Sequence, residues 1–178
     1  SVLPMKKASS RFAVTAPVAV AAVRGTQYRV AFMPDELRQK TEVTEGKVGV
    51  YRLGATAREM LLPAGFGGFA ARDGAGKPMV LLEAPSVEAL PPQRQGKKVS
   101  IRLKASGGAA AYLFELATDP EFVDRIASAQ VAQPVATFED IDPGKIYVRF
   151  FAVAGNGLVG KPGAASFDRA PDKALVQQ

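Results

Sequence analysis

From Phe12 to Leu82 the chain never sustains an apolar stripe at helical spacing for more than a turn or two; short β-rich runs are cut by Gly and Pro instead. Such a pattern leaves sheets as the layers this segment can build. Strands are predicted at Arg11–Thr15, Tyr28–Phe32, Glu42–Thr44, Lys47–Arg52, Glu59–Leu62, Phe66–Ala71 and Met79–Leu82. Glu45-Gly46 lies between the runs TEVT and KVGVYR, where a tight hairpin needs a residue at positive φ. Pro34–Arg38 reads as a polar excursion between strands.

A proline-rich stretch, Ala84-Pro85 through Pro91-Pro92 to Gly96, then changes the texture of the chain, and its start is taken as a domain boundary. Residues 1–83 form one predicted domain, 84–170 a second, and 171–178 a tail. In the second, Val99, Ile101 and Leu103 alternate with Lys98, Ser100, Arg102 and Lys104, as a half-buried strand requires. Tyr112, Phe114 and Leu116 share one face of the next run, with Leu113 and Glu115 on the other. Beyond the Asp119-Pro120 turn, Phe122–Ile126 reads as a short helix or an edge segment. Strands follow at Val135–Phe138, Ile146–Val153 and Ala164–Phe167, giving the spacing of an immunoglobulin-type sandwich.

A length of 178 residues suffices for two small domains, and 47% hydrophobic with 22% charged residues describes a chain that buries a core. Cys, His and Trp are all absent, which excludes thiol and Ser-His-Asp catalysis, disulfides, and zinc or copper sites built on imidazole or thiolate. No cofactor is expected. The net charge of +6 is uneven: residues 1–83 hold 12 Lys/Arg against 7 Asp/Glu, and residues 84–178 hold 11 against 10. The cations are scattered singly, without the basic runs or stacking aromatics of a nucleic-acid groove, so a solvated basic surface is expected and no nucleic-acid partner. Met5-Lys6-Lys7 followed by the apolar Ala13–Val23 imitates a signal peptide. Arg11 and Pro17 interrupt it, eleven residues cannot span a bilayer, and its alternation suits a strand. Any signal or anchor is expected upstream of Ser1.

The string FAVTAPVAVAAVRGTQYRV, followed by TEVTEGKVGVY and LLPAGFGGFA, resembles the C-terminal part of the FecR domain. Its family-motif positions here are Thr15, Pro17, Arg24, Gly25, Thr26, Glu45, Gly46, Ala64 and Gly65, with Ala16 intruding between Thr15 and Pro17. YVRFFAVAGNGLVG, Tyr147–Gly160, resembles the end of the fibronectin-like domain that accompanies FecR-type domains in bacterial envelope proteins. Tyr147 and Arg149 carry that match, and Ala154 stands where an Asp is usual. Tyr147 after Ile141-Asp142-Pro143-Gly144 is also similar to a tyrosine corner, whose hydroxyl bonds upstream backbone. The resemblance implies an all-β protein: a FecR-like antiparallel β-domain, then a fibronectin type III-like β-sandwich. It further implies a non-enzymatic interaction or scaffold module of the Gram-negative periplasm, its partner peptidoglycan or an envelope protein, with no membrane-spanning segment in these residues. Relatives of this architecture often carry an upstream LysM domain, and iron-uptake relatives are signal-receiving regulators. The alternatives are a carbohydrate-binding or, less favoured, glycan-hydrolysing module, and a signal-receiving regulator of the iron-uptake type.

Catalytic and metal-ligating residues are expected to be absent. Arg24-Gly25-Thr26 could fork onto an anion, but an internal pair such as Arg24 with Glu45 is favoured. Neither Gly65–Gly68 nor Gly74–Lys77 precedes a helix start, as a phosphate loop must. Asp119, Glu121 and Asp124, and Glu139, Asp140 and Asp142, lack calcium-loop spacing and read as turn acids. The candidate binding loops are Ser106, Gly107 and Gly108 with Gly155, Asn156 and Gly157, which converge at one end of a sandwich. Tyr28, Tyr51 and Phe69 are candidates to stack on a sugar.

Overall fold

A computed structural model describes residues 12–15, 19–23, 27–52, 60–91 and 97–171. The described residues are all-β apart from one 3-10 turn, Pro34–Glu36, and fall into two compact units, Ser1–Leu81 and Leu82–Gln178.

The first unit has two antiparallel sheets. One runs β1 (Phe12–Thr15), β2 (Ala19–Val23), β5 (Lys47–Arg52) and β6 (Met60–Pro63). The other runs β3 (Gln27–Met33), β4 (Arg38–Glu45) and β7 (Phe66–Ala71), with β8 (Gly74–Ala75) and β9 (Met79–Val80) sharing the far edge of β7. Val48, Val50, Met60 and Leu62 from the first sheet meet Val43, Ala70, Tyr28, Val30, Phe32 and Phe66 from the second in one core. Gly68 admits Met60 between the sheets: a Cβ there would lie 2.7 Å from its Sδ.

Two sequence expectations change here. Glu45-Gly46 is a corner, because β4 already has β3 on one side and β7 on the other, so the chain must leave for the other sheet. Gly46 does adopt the positive φ expected of it, +78°, since a corner and a tight hairpin make the same demand on the backbone. The strand read as Glu42–Thr44 extends over Arg38–Glu45, with polar Gln39 and Thr41 turned into the core.

In the second unit, a three-stranded sheet of β10 (Val87–Ala89), β11 (Val99–Leu103) and β14 (Val135–Phe138) belongs with a four-stranded sheet in the order β13-β12-β15-β16. These last are β12 (Ala109–Ala117), β13 (Arg125–Val131), β15 (Gly144–Ala154) and β16 (Gly163–Arg169). Alternation does the sorting: Val99, Ile101 and Leu103 face Phe114, Leu116, Ile146, Val148 and Phe150 in an apolar core. The segment read as a short helix or edge piece belongs to the Asp119 turn and the start of edge strand β13. The small residues of β13 left no strong alternation to read.

Candidate functional site

The Glu-Gly and Ala-Gly motifs of the first unit meet. The Ala64 N–H donates to the Gly46 carbonyl at 2.9 Å, and the Gly65 N–H to the Val43 carbonyl at 2.8 Å. Gly65, at φ +82°, turns the chain from β6 back to the second sheet, while Gly46 turns it away after β4. The motif is thus a pair of sheet-crossing corners hydrogen-bonded to each other, with Glu45 exposed at the rim. Thr15 ends β1, whereas Pro17, Arg24, Gly25 and Thr26 lie outside the described residues, as does any Arg24–Glu45 pair.

The two loop segments of the second unit converge, since Ala109 pairs with Ala154 across β12 and β15. Ser106 is tied down, its N–H donating to the Tyr112 hydroxyl at 2.8 Å. Asn156 Oδ1 accepts the Leu158 N–H at 3.0 Å, and the Ala154 carbonyl accepts the Gly157 N–H at 2.8 Å. Gly108 and Gly157 occupy positive φ, +80° and +85°; a Cβ at Gly107 or Gly155 would meet nothing. Beside them the Lys161 N–H donates to the Leu82 carbonyl at 2.8 Å, and its ammonium group meets Glu83 Oε1 at 2.6 Å. The result is a firm, small-residue surface of bonded turns.

Tyr147 departs from the corner expectation. Ile146, Val148 and Phe150 face the core, so strand parity puts Tyr147 on the outer face of the sheet, beneath the Lys145 ammonium group at 5.5 Å. Tyr112 does hold upstream backbone, its hydroxyl accepting the Ser106 N–H. Arg149 shares that outer face and is directly opposite Glu115 in the register. Its Nη2 and Nε lie 2.7 and 2.8 Å from Glu115 Oε2, and Arg125 Nη1 lies 3.0 Å from Oε1. The Arg149 guanidinium also stacks 4.4 Å over the Phe122 ring. This cluster was missed in the sequence: its signal is a cross-strand register, which a residue string does not display.

The acidic clusters are turn chemistry. Asp119 Oδ1 and Oδ2 accept the N–H groups of Val123 and Asp124 at 3.1 and 2.7 Å. The Asp124 N–H foremost holds the Asp119 carboxyl below its usual 3.8. Glu139, Asp140 and Asp142 rim a cleft of about 370 Å³ floored by Ile126, Phe138, Ile141 and Ile146. Glu139 pairs with Lys98 at 3.4 Å, and among the described residues no cluster of Asp and Glu is arranged to hold a metal ion. The aromatics form no shared platform. Tyr28 lies on the core face of the second sheet, while Phe69 lies on its outer face under the Arg38 guanidinium, 4.0 Å from the ring centroid. Among the described residues no helix is long and apolar enough to cross a membrane.

Three strands, β10-β11-β14, against four, β13-β12-β15-β16, make the second unit a fibronectin type III-like sandwich. No family model matches the chain, and no curated protein matches it. Among solved structures it is similar to an Fn3-like protein from Clostridium thermocellum, with 20% identity and TM-score 0.39 over 52% of this chain and all of that one. It is also similar to the fn3 domain of the human collagen alpha-1(XX) chain, with 16% identity and TM-score 0.40 over 55% of this chain and 90% of that one. The FN1-FN3 domains of chicken CNTN1 match at 11% identity and TM-score 0.40, over 86% of this chain and 62% of that one.

Proposed function

We propose that the chain is a non-catalytic interaction or scaffold module of the Gram-negative envelope, working in the periplasm against peptidoglycan or an envelope protein. The observation that carries this reading is the use of its chemically capable side chains. Glu115 holds two arginines, Asp119 caps a turn, and the Gly46 and Gly65 corners clasp each other, so these groups serve the fold, and among the described residues sheet surface, sheet edge and bonded loops are offered to a partner. The envelope setting rests on the FecR-like and fibronectin-like strings, and the excess positive charge of residues 1–83 favours an anionic partner such as a wall polymer.

The test is co-sedimentation of the full chain with insoluble peptidoglycan at low and moderate salt, alongside the double variant Arg72→Glu/Lys77→Glu at two exposed cations. Retention that falls with salt and with charge reversal supports wall binding through the basic unit. No retention at either salt concentration rejects direct wall binding and leaves the protein-partner branch.

A further inference from the structure

β12 and β15 pair Ala109 with Ala154 at one end of the second unit and Ala117 with Tyr147 at the other, and the cleft of about 370 Å³ opens at the second end, away from the glycine loops. Its origin is local. Leu116 pairs with Ala127 and Ala117 with Arg125, so Ile126 is the extra residue of a bulge in β13. Strand parity alone would put Ile126 on the outer face with Ser128 and Gln130, since Ala127, Ala129 and Val131 pack on the core. The bulge brings it instead to the cleft wall beside Ala127, where it is 43% exposed. The small Ala127 leaves the space, and the buried Phe138, Ile141 and Ile146 form the floor. The Ile141 N–H donates to the Lys97 carbonyl at 3.0 Å, so the floor is fixed before anything binds.

The rim is acidic. Turn acids ordinarily serve their own backbone, as Asp119 does by accepting the N–H groups of Val123 and Asp124. Asp140 and Asp142 do not: both are exposed, and among the described residues neither has a hydrogen bond or an ion pair. Glu139 reaches only the exposed Lys98, at 3.4 Å, and the Lys145 ammonium group lies over the Tyr147 ring on the outer face of the sheet. A chain of net charge +6 thus carries an uncompensated acidic rim around an exposed apolar side chain.

We propose that this cleft binds a basic segment of a partner protein, one apolar side chain seated on Ile126 and the floor, with the Lys or Arg residues flanking it at Asp140 and Asp142. Apolar walls with a few convergent polar groups are the ordinary make-up of a binding pocket, and its volume falls in their range. The sign of the rim selects the occupant. An anionic polymer is repelled by these carboxylates, and a second copy meeting this face with its own would set like charges against each other. The site rests on the protein-partner branch of the reading above, and wall binding through residues 1–83 stands or falls without it.

The isoleucines supply the readout, because the chain has four: Ile126, Ile141 and Ile146 at the cleft, and Ile101 in the core between the sheets. With the full chain isotope-labelled at its isoleucine methyl groups, the peptide acetyl-Lys-Lys-Leu-Lys-Lys-amide should shift the three cleft signals in NMR spectra and leave Ile101 in place. Replacing the peptide's Leu by Ser, or its Lys residues by Glu, should weaken binding by about tenfold or more. Asp140→Asn with Asp142→Asn should weaken it about five- to tenfold, Asn being a residue that tolerates the positive φ of position 140, +54°. Ile126→Ser should act similarly, and Glu121→Gln, at an exposed acid of the other turn, should have no effect. An unchanged Ile101 signal and unchanged thermal unfolding show that each variant is folded. No shift at the three methyls, equal binding of the Ser or Glu peptide, or a Glu121→Gln loss as large as that of the Asn pair overturns the proposal. Shifts of the same three signals with protein concentration alone would give the cleft to a second copy and overturn it as well. A chain retained on peptidoglycan whose cleft methyls stay silent loses this proposal alone, and cleft binding without retention rejects wall binding alone.

Discussion

The two units bury polar groups in different ways. In the second, Glu115 lies on the outer face of the sheet with both carboxylate oxygens answered by guanidinium groups, the Tyr112 hydroxyl accepts the Ser106 N–H, and Arg169 is buried at the end of β16. In the first, Gln39 and Thr41 stand between the sheets. Gln39 donates to Thr41 Oγ1 at 3.2 Å, while its own Oε1, fully buried, has no hydrogen-bond partner. A matched buried group holds a structure in one arrangement, whereas a half-matched one leaves stability to be recovered. The glycines repeat the contrast. Gly163 lies against the rigid Phe150 ring, and Gly68 against the yielding end of Met60.

This contrast makes Gly163→Ala the most damaging change: its Cβ would lie within 2.9 Å of three Phe150 ring atoms, and urea unfolding should show a loss of about 3 kcal/mol. Gly68→Ala should cost about 1 kcal/mol, because the Met60 thioether can move aside. Equal losses would break the comparison. Glu115→Ala strands two arginines, and their partial exposure, 50% for Arg125 and 32% for Arg149, limits the expected cost to about 2 kcal/mol. Gln39→Leu should instead gain about 1 kcal/mol by removing the orphaned carbonyl. A loss there would show that Gln39 has a use beyond packing.

Acid gives a smaller and local effect. The Asp119 carboxyl is held below 3.8, foremost by the Asp124 N–H, so its contribution is present above that value and lost as pH falls through the lowered one. Amide exchange at Val123 and Asp124, relative to the rest of the sheet, should accelerate only in that acidic window, and Asp119→Asn should remove the dependence. The smallest effect is expected at Gly107→Ala and Gly155→Ala, where the added methyl meets nothing: unfolding should be unchanged. If either variant also loses a partner, the loss arises from the surface and not from the fold.

Legibility followed large side chains. Val99, Ile101 and Leu103, and Tyr112, Phe114 and Leu116, announce their buried faces because one period-two pattern serves one apolar side. β13 was hidden by alanine and serine, which mark neither face. β4 reads short in the sequence because polar Gln39 and Thr41 occupy core-facing positions that apolar residues ordinarily mark. The Gly46 and Gly65 motifs were visible as strings, but which strands they join depends on edges already taken by others. Glu115 with its two arginines, and Tyr147 on the outer face, both required a register that local sequence does not contain.

The clasp between Gly46 and Ala64 also bears on how the first unit assembles. Each corner carries the chain from one sheet to the other, and each supplies backbone partners to the other across eighteen residues of sequence. Neither set of corner hydrogen bonds is complete while the other crossing is open, so the registers of the two sheets are coupled. A slip of β6 by one residue would move Met60 and Leu62 off the core face and pull Ala64 from the Gly46 carbonyl together. The corner motif in this sense ties the register of one sheet to that of the other.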